Sequence, residues 1–504
     1  MTTIARDRMN EFLRYALISF GILFVLLYII IALIRIRYPF ELEWIEGALV
    51  DHVNWLLTGH KLYVQPSLDF VPYFYTPLYF YASAALSKIT GIGFFPLRLL
   101  SFTASLGCFV IIYLFAKRET GSTFTGFLAV SFFAATYRIS GFWFDIARVD
   151  MMFLLFMLIA IYLVRFHETW WGYLLAGIFI SLSFLTKQNA LLTAIPIALY
   201  CIIVRPKLSV FFVGTAALLI AGSSIVLDRI HDGWFYYYVF GLAPHHYLLR
   251  HRMIFFWFED LLAPVPIAST FAIYYVFRRL ADSPKKHGLF YLLISAGVLG
   301  GTWVTRMHTG AYVNVLIPAY AVISILFALG IYRLCNYIKE ISGNGQERIF
   351  RNARSLIYVL CIVQFAALVY NPTHELPTKA DLEAGQRFIQ TISLIPGDIW
   401  IPAHGYLPEL AGKRSHAHGG SIADILRADQ GPVAERLKRE IEDAFRNQRF
   451  KALVMDKEKF FVPFREYYSL QEVIFRDDRV FWTLTGQQTR PEYIYVAKNQ
   501  SNEE

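Results

Sequence analysis

Four stretches of the sequence set ionisable side chains against apolar runs, where a charge needs a reason to be. The first reads Glu41-Leu-Glu43-Trp-Ile-Glu46 and continues to Asp51. The second is Phe144-Asp145-Ile-Ala-Arg148-Val-Asp150, and the third is Thr186-Lys187-Gln188-Asn189. The fourth is Arg306-Met-His308-Thr-Gly310, with Asn314 and Pro318 just beyond. A carboxylate held at the edge of a low-dielectric region can take a proton from a hydroxyl as general base. Arginine grips phosphate through a two-pronged fork, and lysine grips it as a point charge. Each stretch also has a plainer reading. The acids could belong to a solvated interfacial helix, Arg148 could pair with Asp150, and the cations could snorkel to lipid head groups. Asp150 leads into the apolar run Met151–Val164, where an unpaired charge costs about 2.5–3.5 kcal/mol, so something must offset it. Glu43 and Glu46, three apart, would share one face of a helix, and Val50, Val53, Leu56 and Leu57 continue it at helical spacing.

The elements that would position these groups follow from composition. Of the 504 residues, 56% are hydrophobic and 17% charged, against about 25% charged in soluble domains. Apolar runs of about 17–25 residues recur through the first three quarters of the chain, each long enough to cross a bilayer as helix. They lie near 13–35, 97–116, 122–139, 151–165, 170–186, 189–204, 208–228, 261–278, 288–304, 311–333 and 354–370, about eleven spans in all. The run Pro77–Ile89 is too short to cross and is expected to be re-entrant or interfacial. The fold class expected is an all-α polytopic membrane protein over residues 1–370. Residues 371–504 have soluble composition and predict a small α/β domain, with helices at 379–394 and 432–447 and strands at 398–403 and 451–455.

The net charge of +9 would suggest nucleic acid in a soluble protein; here it reads as an orientation signal, with no nucleic acid expected. Starting with the basic N-terminus inside, alternation puts Lys117/Arg118, Arg165, Arg205/Lys207, Arg278 through Lys286 and Arg333 through Arg354 on the cytoplasmic side. Arg35 and Arg37 dissent from that pattern. The four acid-and-base stretches and the tail fall on the opposite, extracytoplasmic side. The first apolar stretch is too long for a signal-peptide core, so an uncleaved span is expected. Cys108, Cys201, Cys335 and Cys361 show neither metal nor disulfide spacing. His245, His246 and His251 lack a convincing fourth zinc ligand, as do His416 and His418. No nucleotide-binding, zinc-protease or nucleophile-elbow motif occurs.

In these residues the chain resembles the GT-C superfamily of membrane glycosyltransferases, and within it the bacterial branch related to protein O-mannosyltransferases and aminoarabinose transferases. The resemblance is carried by the acidic first loop, Gly-x-x-Leu-Tyr (Gly59–Tyr63), Tyr-x-Pro-Leu-Tyr (Tyr75–Tyr79), Ala-Arg-Val-Asp (Ala147–Asp150), Leu-Thr-Lys-Gln (Leu185–Gln188) and Asn-x-x-x-Pro (Asn314–Pro318). It implies transfer of a sugar from a polyprenyl-phosphate donor, usually with inversion, to an extracytoplasmic lipid, glycan or protein acceptor. The expected setting is a bacterial inner membrane, with the site facing the exterior. By the same resemblance Glu46 is the first choice for the base and Glu43 the reserve, with Asp145 and Asp150 as a second acidic site. Arg148, Lys187, Gln188, Tyr75, Arg306 and His308 would hold donor or departing phosphate. The family often carries Asp-Glu where this chain has Ile45-Glu46. No Asp-x-Asp occurs, so no cofactor is expected and a divalent metal is not demanded. A transporter or flippase, or a non-catalytic scaffold handling lipid-linked glycans, are the competing classes; no clear internal repeat supports a transporter.

Overall fold

A computed structural model describes residues 3–242, 247–341, 347–457 and 460–498. His245 and His246 lie outside the described residues. The chain opens with α1 (Thr3–Arg35), and the loop after it carries α2 (Glu46–Leu57) and α3 (Leu78–Thr90). Then come α4 (Phe94–Thr120), α5 (Thr123–Ala135), α6 (Asp150–Phe166), α7 (Trp170–Thr186), α8 (Ala190–Val204) and α9 (Pro206–Ile230). The short α10 (Trp234–Tyr236) and α11 (Arg252–Phe255) run on into π-helical turns. They are followed by α12 (Pro266–Ala281), α13 (Lys285–Met307), α14 (Ile317–Ile341) and α15 (Glu347–Ala367). Each predicted span falls on one of α1, α4 to α9 or α12 to α15, and the chain is a multi-pass membrane protein.

The spans are unequal. Among the described residues five helices are long and apolar enough to cross a membrane, or up to seven if each of two bent pairs counts as one. α5, with 13 residues, rises only about 20 Å, well short of a hydrocarbon core of about 30 Å. The predicted span 122–139 overshoots it, because residues after Thr136 turn inward as a buried loop instead of continuing the helix. One end of the bundle is closed by tight turns. Gly121 at φ 71° ends α4, Ser122 caps α5 by accepting from the Thr125 amide at 3.2 Å, and Thr169 caps α7. The basic clusters gather there: Arg165 pairs with Glu119, Arg205 and Lys286 with Glu168, and Arg333 with Asp282. The opposite face holds the first loop, the 136–149 loop and the mouths of α7, α8, α13 and α14.

After α15 come α16 (Lys379–Leu394), α17 (Leu407–Leu410), α18 (Gly419–Ala428) and α19 (Pro432–Arg446). Between and after them run β1 (Ile399–Trp400), β2 (Ala452–Met455), β3 (Tyr468–Val473) and β4 (Tyr493–Ala497). The sheet order is β1-β2-β4-β3, with β1 and β2 parallel and the other pairs antiparallel. The α/β character matches expectation; β3, β4 and α18 add to it, and β1 is shorter than the predicted strand. This unit is not loosely appended. Phe40 from the first loop joins Phe388, Ile392, Ile399, Val454 and Phe481 in one apolar cluster. Backbone contact is closest where Gly47 of α2 meets the Gly405 carbonyl, with Glu41 Oε1 alongside, so any Cβ at residue 47 collides with both.

Gly47→Val should therefore prise α2 from the C-terminal unit at a cost of about 1–3 kcal/mol. Thermal unfolding in detergent checks this; an unchanged midpoint would show that the close approach does not matter.

Candidate active site

The first loop is wound around one arginine. Arg98, fully buried near the start of α4, donates from Nε to Glu46 Oε1 at 3.0 Å and from Nη2 to Glu46 Oε2 at 2.6 Å. Its remaining N–H groups reach the carbonyls of Arg35, Tyr38 and Phe40 at 3.1, 2.6 and 2.7 Å. That uses all five guanidinium donors. Glu46 accepts two further amides, Leu42 at 2.7 Å and Ala147 at 2.6 Å. Burial alone would raise its pKa, but Arg98 and those amides hold it below the ordinary value. Each oxygen of Glu46 thus has two donors, and none is left for a substrate proton. The expectation that Glu46 is the base meets this obstacle: the carboxylate joins the first loop, α4 and the 136–149 loop.

Asp145 is likewise engaged. Tyr137 donates to its Oδ1 at 2.5 Å, and Arg35 Nε lies 3.2 Å from its Oδ2, all buried. The departure of Arg35 from the charge pattern has its reason here, since a cation at the C-terminal end of α1 meets this acid. Arg37 lies over the Phe95 ring.

Glu43 differs. α2 begins at Glu46, so Glu43 precedes the helix and the two acids do not share a helical face as the spacing suggested. Its Oε2 accepts from Arg148 Nη1 at 3.1 Å and from the Ile45 amide at 3.2 Å, while Oε1 is buried without a partner. Burial raises its pKa to about 7, against the lowering effect of Arg148. Arg148 also donates to the Tyr75 hydroxyl at 2.8 Å and lies over Trp143, and its Nε is unpartnered. It does not pair with Asp150, the plainer alternative. Across Glu43 lies a turn of the C-terminal unit. Trp143 Nε1 donates to Thr485 Oγ1, the Leu484 and Thr485 amides donate to the Leu42 carbonyl, and Gly486, at φ 76°, sits against the Glu43 side chain. A Cβ there would lie 2.8 Å from Glu43 Cγ. Beside this turn a cleft of about 970 Å³ opens between Arg138, Phe142, Tyr312 and Gln488.

Asp150 opens α6. Its Oδ1 accepts from Lys187 Nζ at 2.6 Å and Asn314 Nδ2 at 3.0 Å, and Oδ2 is unpartnered. These three line a smaller cavity with Asn189, Thr193, Thr302 and Thr305. Gln188 turns the other way and donates to the Phe74 carbonyl, bracing the strip that ends in Tyr75. Arg306 is spent: it forks onto Asp260 at 2.8 and 3.1 Å, so it is not free for phosphate. His308 caps α13 and bridges Leu248 through its backbone; burial lowers its pKa. The structure thus brings Glu43, Arg148, Tyr75, Asp150 and Lys187 together and withdraws Glu46, Asp145 and Arg306 into structural pairs. Sequence reasoning missed Arg98, Asp260 and Trp143. A lone arginine entering an apolar run was the available signal for Arg98.

The site is tied to the C-terminal unit by a second buried relay. His404 Nδ1 donates to Glu41 Oε2 at 2.5 Å, and His404 Nε2 lies 3.1 Å from Asp456. Burial would lower the His404 pKa, but Asp456 and Glu41 raise it to about 10. Burial lifts Glu41 to about 7, with His404 opposing. His418 is instead neutral, its pKa lowered to about 3 by burial; its Nδ1 accepts from the Gly420 amide and the Tyr73 hydroxyl. Among the described residues no three His, Cys, Asp or Glu side chains are arranged to hold a metal ion.

Against known proteins, residues 72–227 match the family described as Dolichyl-phosphate-mannose-protein mannosyltransferase. No curated protein sequence matches. Among solved structures the chain is similar to ArnT from Cupriavidus metallidurans bound to undecaprenyl phosphate, at TM-score 0.59 and 12% identity, covering 95% of this chain and 98% of that one. The apo form of the same protein matches at TM-score 0.59 and 10% identity, covering 94% and 97%. The Archaeoglobus fulgidus oligosaccharyltransferase tethered with an acceptor peptide follows at TM-score 0.48 and 13% identity, covering 86% of this chain and 69% of that one.

Arg98→Met leaves Glu46 buried and unpaired and should cost about 3–5 kcal/mol, part of which returns in the Arg98→Met/Glu46→Met double variant. Denaturation in detergent measures both; a single variant as stable as wild type would remove the anchoring role. His404 makes a prediction for pH. Its pKa is raised in the fold, so its favourable contribution is complete below about pH 6.5 and is lost as pH rises towards 10. Glu41, also raised, acts in the same sense. The unfolding midpoint should fall across that range, and His404→Ala should flatten the fall; an equal slope in the variant would refute the relay.

Proposed function

We propose that this GT-C superfamily membrane glycosyltransferase moves a sugar from a polyprenyl-phosphate donor to an acceptor on the face of the membrane opposite its basic clusters, with Glu43 as general base. The observation that carries the base assignment is the unpartnered, buried Oε1 of Glu43 beside Arg148, next to a Glu46 whose two oxygens are both taken by donors. A carboxylate poised near neutrality matches the requirement for proton transfer at physiological pH. The polyprenyl donor is supported by the mannosyltransferase family match and by the fold shared with a protein that binds undecaprenyl phosphate. Crowding of Arg and Lys at the other face supports an extracytoplasmic site in a cell membrane.

The acceptor approaches Glu43 from the cleft beside Thr485 and Gly486, whose wall includes Tyr312, stacked on Trp143 behind it. Its hydroxyl oxygen attacks the anomeric carbon as Glu43 Oε1 takes the proton, and the bond from that carbon to the phosphate oxygen breaks. The polyprenyl phosphate leaves with both electrons of that bond and inversion results. Arg148, through its free Nε, and Lys187 meet the growing negative charge. Asp150 and Asn314 hold Lys187 in place, so Asp150 acts as a positioning residue. Tyr75 steadies the Arg148 fork. On this account the phosphate charge is met by protein cations, without need of a divalent metal.

Purified protein supplied with a panel of polyprenyl-phosphate sugars and candidate acceptors should release polyprenyl phosphate. Glu43→Gln should lower the rate by about 10²–10⁴ with the fold retained. Because the base acts ionised and its pKa lies about 7, kcat/KM should fall about tenfold per unit below that pH and level off above it. A folded Glu43→Gln variant with wild-type rate would overturn the base. EDTA should leave the rate unchanged; loss restored by a divalent cation would overturn the metal-free account.

A further inference from the structure

The basic face carries a cavity that the transfer reaction does not use. It lies at the far end of the bundle, between the first turns of α1, the start of α5, the last turns of α14 and the start of α15. Its empty space is about 880 Å³, open to the surface. Three cations line it, Arg14, Lys339 and Arg354. They come from three different helices, so their gathering is a property of the fold and not of a local charge run.

Several cations elsewhere on this face meet a carboxylate. Arg165 and Arg279 meet Glu119, Arg205 and Lys286 meet Glu168, and Arg333 meets Asp282. The cavity cations have no carboxylate partner among the described residues. Arg14 is held only over the Phe124 ring at 5.1 Å, and Arg354 gives its Nε to the Tyr358 hydroxyl at 3.0 Å. Ser122 and Asn336 add neutral hydrogen-bonding groups to the wall, and Leu128 and Ile331 supply an apolar floor. Three like charges around one hollow repel one another, and an anion placed between them relieves that repulsion. Polar donors over an apolar floor at a membrane surface match a phosphate group with hydrocarbon attached.

We infer that this cavity is a binding site for a phosphate-bearing anion, met in the membrane as a phospholipid head group, separate from the donor site at the other end of the helices. Its occupant would bridge α1, α14 and α15 electrostatically. The inference stands without the proposed reaction, since it uses none of the same residues.

The test uses the full-length protein in a neutral detergent, titrated with phosphatidylglycerol, phosphatidylcholine or inorganic phosphate while the unfolding midpoint is read. Phosphatidylglycerol should raise the midpoint of wild type more than phosphatidylcholine. In Arg14→Gln/Lys339→Gln, which spares the Arg354–Tyr358 bond, apparent affinity should drop roughly fivefold per cation removed. A variant whose midpoint without lipid equals wild type confirms that folding is intact. Where inorganic phosphate reproduces the shift, the ligand is a soluble phosphate; where only the lipid does, it is a head group, and either supports the site. No shift with either anion in wild type, or equal shifts in the variant, would overturn it.

Discussion

The half of this molecule away from its basic clusters depends on one buried ion pair. Arg98 spends its five donors on Glu46 and three loop carbonyls, and Glu46 spends its remaining capacity on amides 42 and 147. A carboxylate and a guanidinium taken out of water lose several kcal/mol of hydration each, which only complete hydrogen bonding offsets. Completeness is what fixes the geometry: the loop after α1 must close on α4, and the 136–149 loop must close on both. Glu43 and Arg148 then stand where they do because each is carried by one of those loops. The proposed base is thus placed by a neighbour of similar type whose own oxygens are all taken by donors.

A division of labour among acids follows. Glu46 has donors on both oxygens, which favours its ionised form, and Asp145 is held between the Tyr137 hydroxyl and the Arg35 guanidinium. Glu43 and Asp150 each keep one oxygen unpartnered. An unpaired buried oxygen is expensive, and an arriving ligand or proton would relieve that cost. The C-terminal unit takes part as well, since the turn at Thr485–Gly486 covers Glu43 and His404 grips Glu41.

Much of the helical scaffold was legible in the sequence, because a bilayer demands long apolar runs and the demand shows in composition. The grouping of the basic loops was legible too: they meet at one end of the bundle. The pairing of charges was not, since Glu46 and Arg98 lie 52 residues apart and no periodicity connects them. Spacing alone made Glu43 and Glu46 equivalent; the helix start at Glu46 separates them into loop and helix, a boundary that has no capping residue to announce it. Arg306 looked free because Asp260, its partner, lies 46 residues away and no periodicity connects them. In the C-terminal unit, β3 went unseen because all but its first residue faces outward, leaving no alternating pattern to read.

The central claim is that Glu43 faces the reacting carbon while Glu46 stays locked to Arg98. A cryo-electron microscopy structure with a polyprenyl-phosphate sugar bound tests it most directly. The account predicts the phosphate on Lys187 and Arg148 Nε, the anomeric carbon turned towards Glu43 Oε1, and the Arg98–Glu46 pair unbroken. A sugar seated at Glu46 with that pair opened, or a phosphate held away from Lys187 and Arg148, would contradict it.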